Sequence, residues 1–245
     1  MDADIVTAEF DHLRPQIRSY LARLVVRPEV AEELAQDVFV RAWQSLDSLP
    51  TSRTGIRAWL FRVASNVAID ELRRHGRWRE SLLLDARSAA EHDPAFTQLS
   101  SDMRSTPETE AIAYEHLAVC FSCVLRNLPE QQAATLLLKE VYQFSTNEIA
   151  EILEASFGQV KNWLQSARFA MDTKYAETCA LVTKDGVCNQ CVELGVYFNG
   201  VSRDPLAESP RTLDARLEIV RRLTDKPTNQ WHRALLALID RNFGA

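Results

Sequence analysis

The stretch 144–171, FSTNEIAEILEASFGQVKNWLQSARFAM, decides how this chain folds. Ser145 followed by Glu148 is an S-x-x-E capping box and predicts a helix start. Ile149, Ala150, Ile152 and Leu153 follow at helical spacing. Glu154-Ala155 interrupts the run. Ser156 with Gln159 is a second capping pair, S-x-x-Q, and opens a second helix. Val160, Trp163, Leu164 and Ala167 form its expected buried face. Gln159, Lys161, Asn162, Gln165 and Arg168 form the other, with no acid between Phe157 and Met171. Two short helices, a tight turn and an amide-rich, basic outer face are the pattern of a DNA-reading helix-turn-helix. An ordinary helical hairpin satisfies the same spacing.

Working outward, the composition favours helices. The 245 residues include only 7 Gly, are 46% apolar, and show no alternating β-branched run long enough for a sheet. No apolar stretch approaches the roughly 20 residues of a membrane span. The N-terminus, MDADIVTAEF, lacks the apolar core of a signal peptide. The expected location is therefore cytoplasmic, with the five cysteines reduced unless they hold metal. A net charge of −6 excludes a protein that coats nucleic acid non-specifically. The charge is uneven, however. Arg57 to Arg79 holds six arginines against Asp70 and Glu71, whereas Glu80 to Glu115 holds eight acids against Arg87 and Arg104.

In the N-terminal half, residues 5–26 read as helix, with Phe10, Leu13, Ile17, Leu21 and Leu24 on one face. Pro28 suits the first turn of the next. Val30 to Leu46 places Leu34, Val38, Ala42 and Leu46 inside, with Phe39 and Trp43 widening the stripe. Glu32, Glu33, Gln36, Asp37 and Arg41 flank it, either as a solvated face or as an acidic docking face. Arg57 to Arg74, RAWLFRVASNVAIDELRR, is strongly amphipathic. Arg62, Asn66, Asp70, Arg73 and Arg74 lie outward or edgewise, where Asn and Arg beside aromatics suit bases and phosphates.

Three blocks in fixed order, EVAEELAQDVFVRAWQSL, GIRAWLFRVASNVAIDELRR and NLPEQQAATLLLKEVYQFSTNEIAEILEASFGQVKNWLQSARFAM, resemble bacterial RNA polymerase sigma factors of the extracytoplasmic function (ECF) type. The resemblance covers residues 5–175. It implies an all-α protein: two small helical domains joined by a flexible linker, the second carrying the helix-turn-helix, plus a C-terminal helical extension. The first domain (1–79) would bind the polymerase clamp and melt and read the −10 element. The second (110–175) would bind the polymerase flap and read the −35 element. By position, Glu33, Asp37 and Arg41 fall in the clamp-docking helix, and Asn66, Asp70, Arg73 and Arg74 in the −10 helix. Ser156, Gln159, Lys161, Asn162 and Arg168 fall in or beside the −35 helix. Core RNA polymerase and promoter DNA are the implied partners, with an anti-sigma factor a further candidate and no membrane. Trp163 and Gln165 stand where the family usually carries basic residues, and Glu130-Gln131-Gln132 where Arg is common. That weaker charge implies reliance on polymerase for affinity, because phosphate contacts supply most of it.

Residues 80–109 read as a flexible acidic linker. Cys120 and Cys123 form C-x2-C, and Cys179, Cys188 and Cys191 form C-x8-C-x2-C in a cysteine-rich knuckle over 176–200. Two C-x2-C pairs have zinc-ligand spacing, so Cys120, Cys123, Cys188 and Cys191 are the expected ligands, with Cys179 a substitute. An iron–sulfur cluster, a thiol switch and buried apolar cysteines are the alternatives. Residues 201–245 form a two-helix extension too small to bury a core alone, which must dock elsewhere. No nucleophile–base pair, phosphate loop or metal–carboxylate cluster points to an enzyme. Two other readings stay open: a helix-turn-helix regulator acting without polymerase, and a zinc-binding adaptor without initiation activity.

Overall fold

The computed structural model describes residues 3–76, 89–90, 92–103, 115, 118–119, 121–122, 124–174, 213–223 and 230–243. Every regular element among them is helical: α1 (Ala3–Val25), α2 (Pro28–Gln44), a 3-10 turn (Leu46–Ser48), α3 (Arg53–His75), α4 (Pro94–Met103), α5 (Glu130–Glu140), α6 (Thr146–Ile152), α7 (Phe157–Lys174), α8 (Leu213–Arg222) and α9 (Gln230–Phe243). The knuckle and all five cysteines lie outside the described residues, as do linker residues 80–88 and 104–109.

Local chemistry sets the helix ends. Pro28 takes the first turn of α2, where its missing N–H costs nothing. Ser52 caps α3 by accepting from Gly55 N at 3.1 Å, and Gly76, at φ 70°, ends it. Val26 leaves α1 at φ 58°, which a β-branched residue adopts only under constraint, and its side chain is buried.

α1, α2 and α3 pack around Leu13, Ile17, Leu21, Val38, Ile56, Leu60 and Ala64. α5, α6 and α7 pack around Leu137, Leu138, Ile149, Val160 and Ala167. The two groups share one core. Tyr20 of α1 and Phe61 of α3 meet Tyr142 and Phe144, which lie between α5 and α6, with ring centroids 5.0–5.5 Å apart. The Arg57 guanidinium sits 3.9 Å from the Phe144 ring centroid and donates to Tyr142 O at 2.9 Å. Tyr142 Oη donates to Gln16 O at 3.3 Å.

Two expectations change. Trp43 does not widen the buried stripe of α2: it is 48% exposed, edge-on to Phe10 at 6.3 Å. Ala31, Ala35, Val38 and Ala42 already face the core, and position 43 is turned about 100° from 42. Second, the expected linker contains α4. Asp93 accepts from Phe96 N at 2.9 Å, Pro94 follows it, and Phe96 is buried. Asp93-Pro94 is a helix-start signal that the acidic composition masked. The two helical groups of the expected fold also pack against each other, through the aromatic residues between α5 and α6.

Leu217 and Val220 of α8 join the shared core, and Leu235, Leu238 and Ile239 of α9 are buried. The extension therefore docks on the chain.

Phe61→Ala should destabilise the protein by about 3–5 kcal/mol, and Tyr20→Phe by about 1 kcal/mol, in urea denaturation. The first opens a cavity between both groups. The second removes only the 2.7 Å hydrogen bond of Tyr20 Oη with Ser65 Oγ.

Candidate nucleic-acid interface

Two polar faces stand out. The first belongs to α7. Both capping boxes that the sequence implied are formed. Ser145 Oγ accepts from Glu148 N at 3.2 Å while Glu148 Oε2 accepts from Ser145 N at 2.7 Å. Ser156 Oγ accepts from Gln159 N at 3.2 Å, and Gln159 Oε1 accepts from Ser156 N at 2.9 Å. Glu154 occupies the intervening turn at φ 49°, which explains the break after α6. Val160, Leu164 and Ala167 are buried and Trp163 is half-buried, so the helix is held by one apolar stripe.

Ser156, Gln159, Lys161, Asn162, Gln165 and Arg168 are all exposed, on the outside of α7. They are not equivalent. Gln159 spends its carboxamide oxygen on the cap, which leaves its Nε2 donors on the exposed face. Arg168 is bound to Glu140 of α5, with Nε 3.0 Å from Oε1 and Nη2 on the same oxygen. Its charge is largely neutralised at home. Lys161 Nζ lies 5.9 Å from the Phe157 ring centroid. Phe157 itself is 50% exposed in the first turn, beside the cap, and Phe169 is 67% exposed. Sequence reading passed over both. For Phe169 the available signal was a large apolar residue two positions from both Ala167 and Met171, off the buried stripe; Phe157, three positions before Val160, keeps the stripe's spacing.

The second face belongs to α3. Asn66, Asp70, Arg73 and Arg74 are exposed, as the spacing predicted. Asp70 pairs with Arg73 at 3.5 Å. Glu71, which reads as an ordinary surface acid, is buried. Its Oε1 takes Arg27 Nη2 at 2.7 Å and lies 3.1 Å from His75 Nε2, and its Oε2 takes Arg74 Nη1 at 3.1 Å. One carboxylate thus gathers the basic end of α3 and ties it to the start of α2. An exposed i,i+3 pair would not have signalled this, since Arg27 comes from another helix.

On α2, Glu33 and Arg41 are exposed and Asp37 is half-buried. Asp37 and Arg41 form an ion pair at 2.7 Å. Val40 and Trp43, about half exposed, stand among them. A mixed apolar and charged surface of this kind suits a protein partner better than DNA. Among the described residues, no group of three or more His, Cys, Asp or Glu is placed to hold a metal ion. No helix there is long and apolar enough to cross a membrane.

These features match known proteins. The family models Sigma-70 region 2 and Sigma-70, region 4 match residues 10–78 and 118–171. The chain is 30% identical over 170 residues to the ECF RNA polymerase sigma factor SigW of Bacillus subtilis, covering 69% of this chain and 86% of that one. It is 28% identical over 159 residues to the ECF RNA polymerase sigma-E factor of Haemophilus influenzae, covering 65% and 81%. It is 28% identical over 173 residues to the sigma-E factor of Escherichia coli K12, covering 70% and 85%.

The Glu148 carboxyl is held below its ordinary pKa of 4.5, first by the Ser145 hydroxyl, then by the Ser145 N–H, with Arg57 and Lys139 adding and burial opposing. A carboxyl with a lowered folded pKa binds fewer protons folded than unfolded. Its stabilisation is therefore full above pH 4.5 and lost as pH falls through the lowered value. Thermal melts of Glu148→Gln from pH 6 to pH 3 should show a flatter acid limb than wild type. Ser156→Ala should cost about 1 kcal/mol at every pH.

Proposed function

The chain belongs to the ECF family of bacterial RNA polymerase sigma factors, and from that premise we propose how its exposed faces divide the work of promoter recognition. As a sigma factor it binds core RNA polymerase and directs promoter recognition and transcription initiation. It acts in the cytoplasm without catalysis of its own.

Ser156, Gln159, Lys161 and Asn162 read the −35 element. The capped first turn of α7 enters the major groove, where side-chain amides pair with adenine edges and the Phe157 ring suits a thymine methyl. Arg168 is a minor contributor there, because Glu140 holds it. Asn66, Asp70, Arg73 and Arg74 engage the −10 element. Asn66 and Asp70 supply hydrogen-bonding groups for an unstacked base, and the two arginines neutralise strand phosphates. Glu33, Asp37 and Arg41 dock on polymerase around the apolar Val40–Trp43 patch. The observation that carries this division is the exposure of amides and cations on two helices whose opposite faces are buried.

The C-x2-C spacing supports a zinc site at Cys120, Cys123, Cys188 and Cys191, with Cys179 as a substitute ligand and regulation by metal or thiol oxidation as its use. An anti-sigma factor is a further partner that the family reading supports.

In vitro transcription with core polymerase on a promoter pool, with and without chelator, tests the whole reading. Promoter-specific transcripts that require core enzyme are expected, and chelator should alter their yield. DNA binding that is equal with and without core enzyme would identify a stand-alone regulator instead. Arg73→Ala and Arg74→Ala should each lower the salt slope of promoter binding by about 1. Asn162→Ala should cost about 1–3 kcal/mol against a consensus −35 element and nothing against a scrambled one.

A further inference from the structure

The two reading faces stand too close together for both to be on a promoter. Arg62 of α3 lies 4.0 Å from Glu154, in the turn before α7. Arg57, also on α3, donates to Tyr142 and covers Phe144, just before α6. Elements centred near −10 and −35 are about 25 base pairs apart, or ~85 Å along straight duplex. With α3 packed on α6 and against the turn before α7, the two faces cannot span that distance, so the packed arrangement must open before both elements are read.

Besides the aromatic cluster, a segment outside both family regions contacts both groups. The region 4 match ends at residue 171, and α8 begins at Leu213. Arg221 Nε of α8 donates to Glu140 O, at the end of α5, at 2.6 Å. Arg23 Nη2 of α1 donates to Val220 O and Leu223 O, the last carbonyls of α8, at 3.4 and 3.3 Å. Val220 O also accepts from Leu223 N at 3.2 Å, and both carbonyls lie at the negative end of the helix dipole. Arg23 is buried, so α8 supplies part of the solvation that its guanidinium has given up. Leu217 and Val220 enter the core shared by both groups of helices. One short helix thus bonds to α1 on one side and α5 on the other.

We propose that α8 is a built-in clasp. It holds the two DNA-reading regions in a closed form, and core polymerase must displace it before they reach promoter spacing. This rests on the sigma-factor reading above.

The test uses full-length protein carrying Arg221→Glu, which places a carboxylate against Glu140 O. Small-angle scattering of wild type should give the radius of a compact chain, about 18 Å. The variant should be larger, and should bind a promoter fragment without polymerase about tenfold more tightly, the order expected for one charged hydrogen bond. An unchanged radius overturns the clasp, and so does expansion without tighter promoter binding. If R221E melts without a cooperative transition, R221Q replaces it under the same criteria. Hydrogen exchange on wild type supplies an arm that needs no variant. Amides of α8 should lose protection when core polymerase is added, and unchanged protection overturns the proposal. Failure of wild type to initiate at any promoter would instead overturn the sigma-factor reading, and the scattering result does not depend on that outcome.

Discussion

The structure turns on Arg57 and the four rings around it. Tyr20, Phe61, Tyr142 and Phe144 form one edge-to-face cluster, and the Arg57 guanidinium closes it against Phe144 and the Tyr142 carbonyl. Burial lowers the Arg57 pKa, with Glu148 and Tyr142 opposing, yet a guanidinium starts so high that it stays charged. The charge meets ring faces and a carbonyl, so its partial desolvation is compensated. Tyr20 is wholly buried, and burial raises its pKa while Ser65 opposes. Ser65 Oγ also bonds Phe61 O at 2.7 Å, so the polar atoms beneath the rings are satisfied within α1 and α3. Because two rings come from the first group of helices and two from the second, this cluster makes one core out of two.

The reading helix is organised on a different principle. α6 has only 7 residues and would not form alone in water. Both α6 and α7 are started by a reciprocal cap and completed by a buried stripe. Gln159 closes the cap with its oxygen and keeps its amide nitrogen exposed. Arg168 serves the fold more than the ligand, because Glu140 reaches it from α5. Two residues that look alike on a helical projection therefore differ, one keeping a free amide nitrogen and the other bracing α7 against α5.

Charge follows the same logic on α3. A net charge of −6 coexists with a basic helix end because Glu71 collects Arg27, Arg74 and His75 at one point. That arrangement presents cations in fixed positions without the repulsion of an unbalanced cluster. It also joins the start of α2 to the end of α3.

Much of this was legible in the residue order, because it depends on near neighbours. The helices, both capping boxes, the Pro28 start and the outward face of α7 follow from hydrogen bonds and side-chain spacing within about four residues. The order of three local blocks was enough to indicate the family. What the sequence could not disclose depends on residues far apart in it. Trp43 looked buried by periodicity, but the alanines beside it already filled the contact. Glu71 looked solvated, because Arg27 lies 44 positions away. Arg168 looked free, because Glu140 lies 28 positions away. The docking of α8 through Arg23 and Arg221 spans still greater separations. The chain's own order thus determined its helices, its caps and the two exposed polar faces of α3 and α7. Only the tertiary structure decided which charged groups remain available and that the two halves share a core, because burial and ion pairing are properties of the assembled surface.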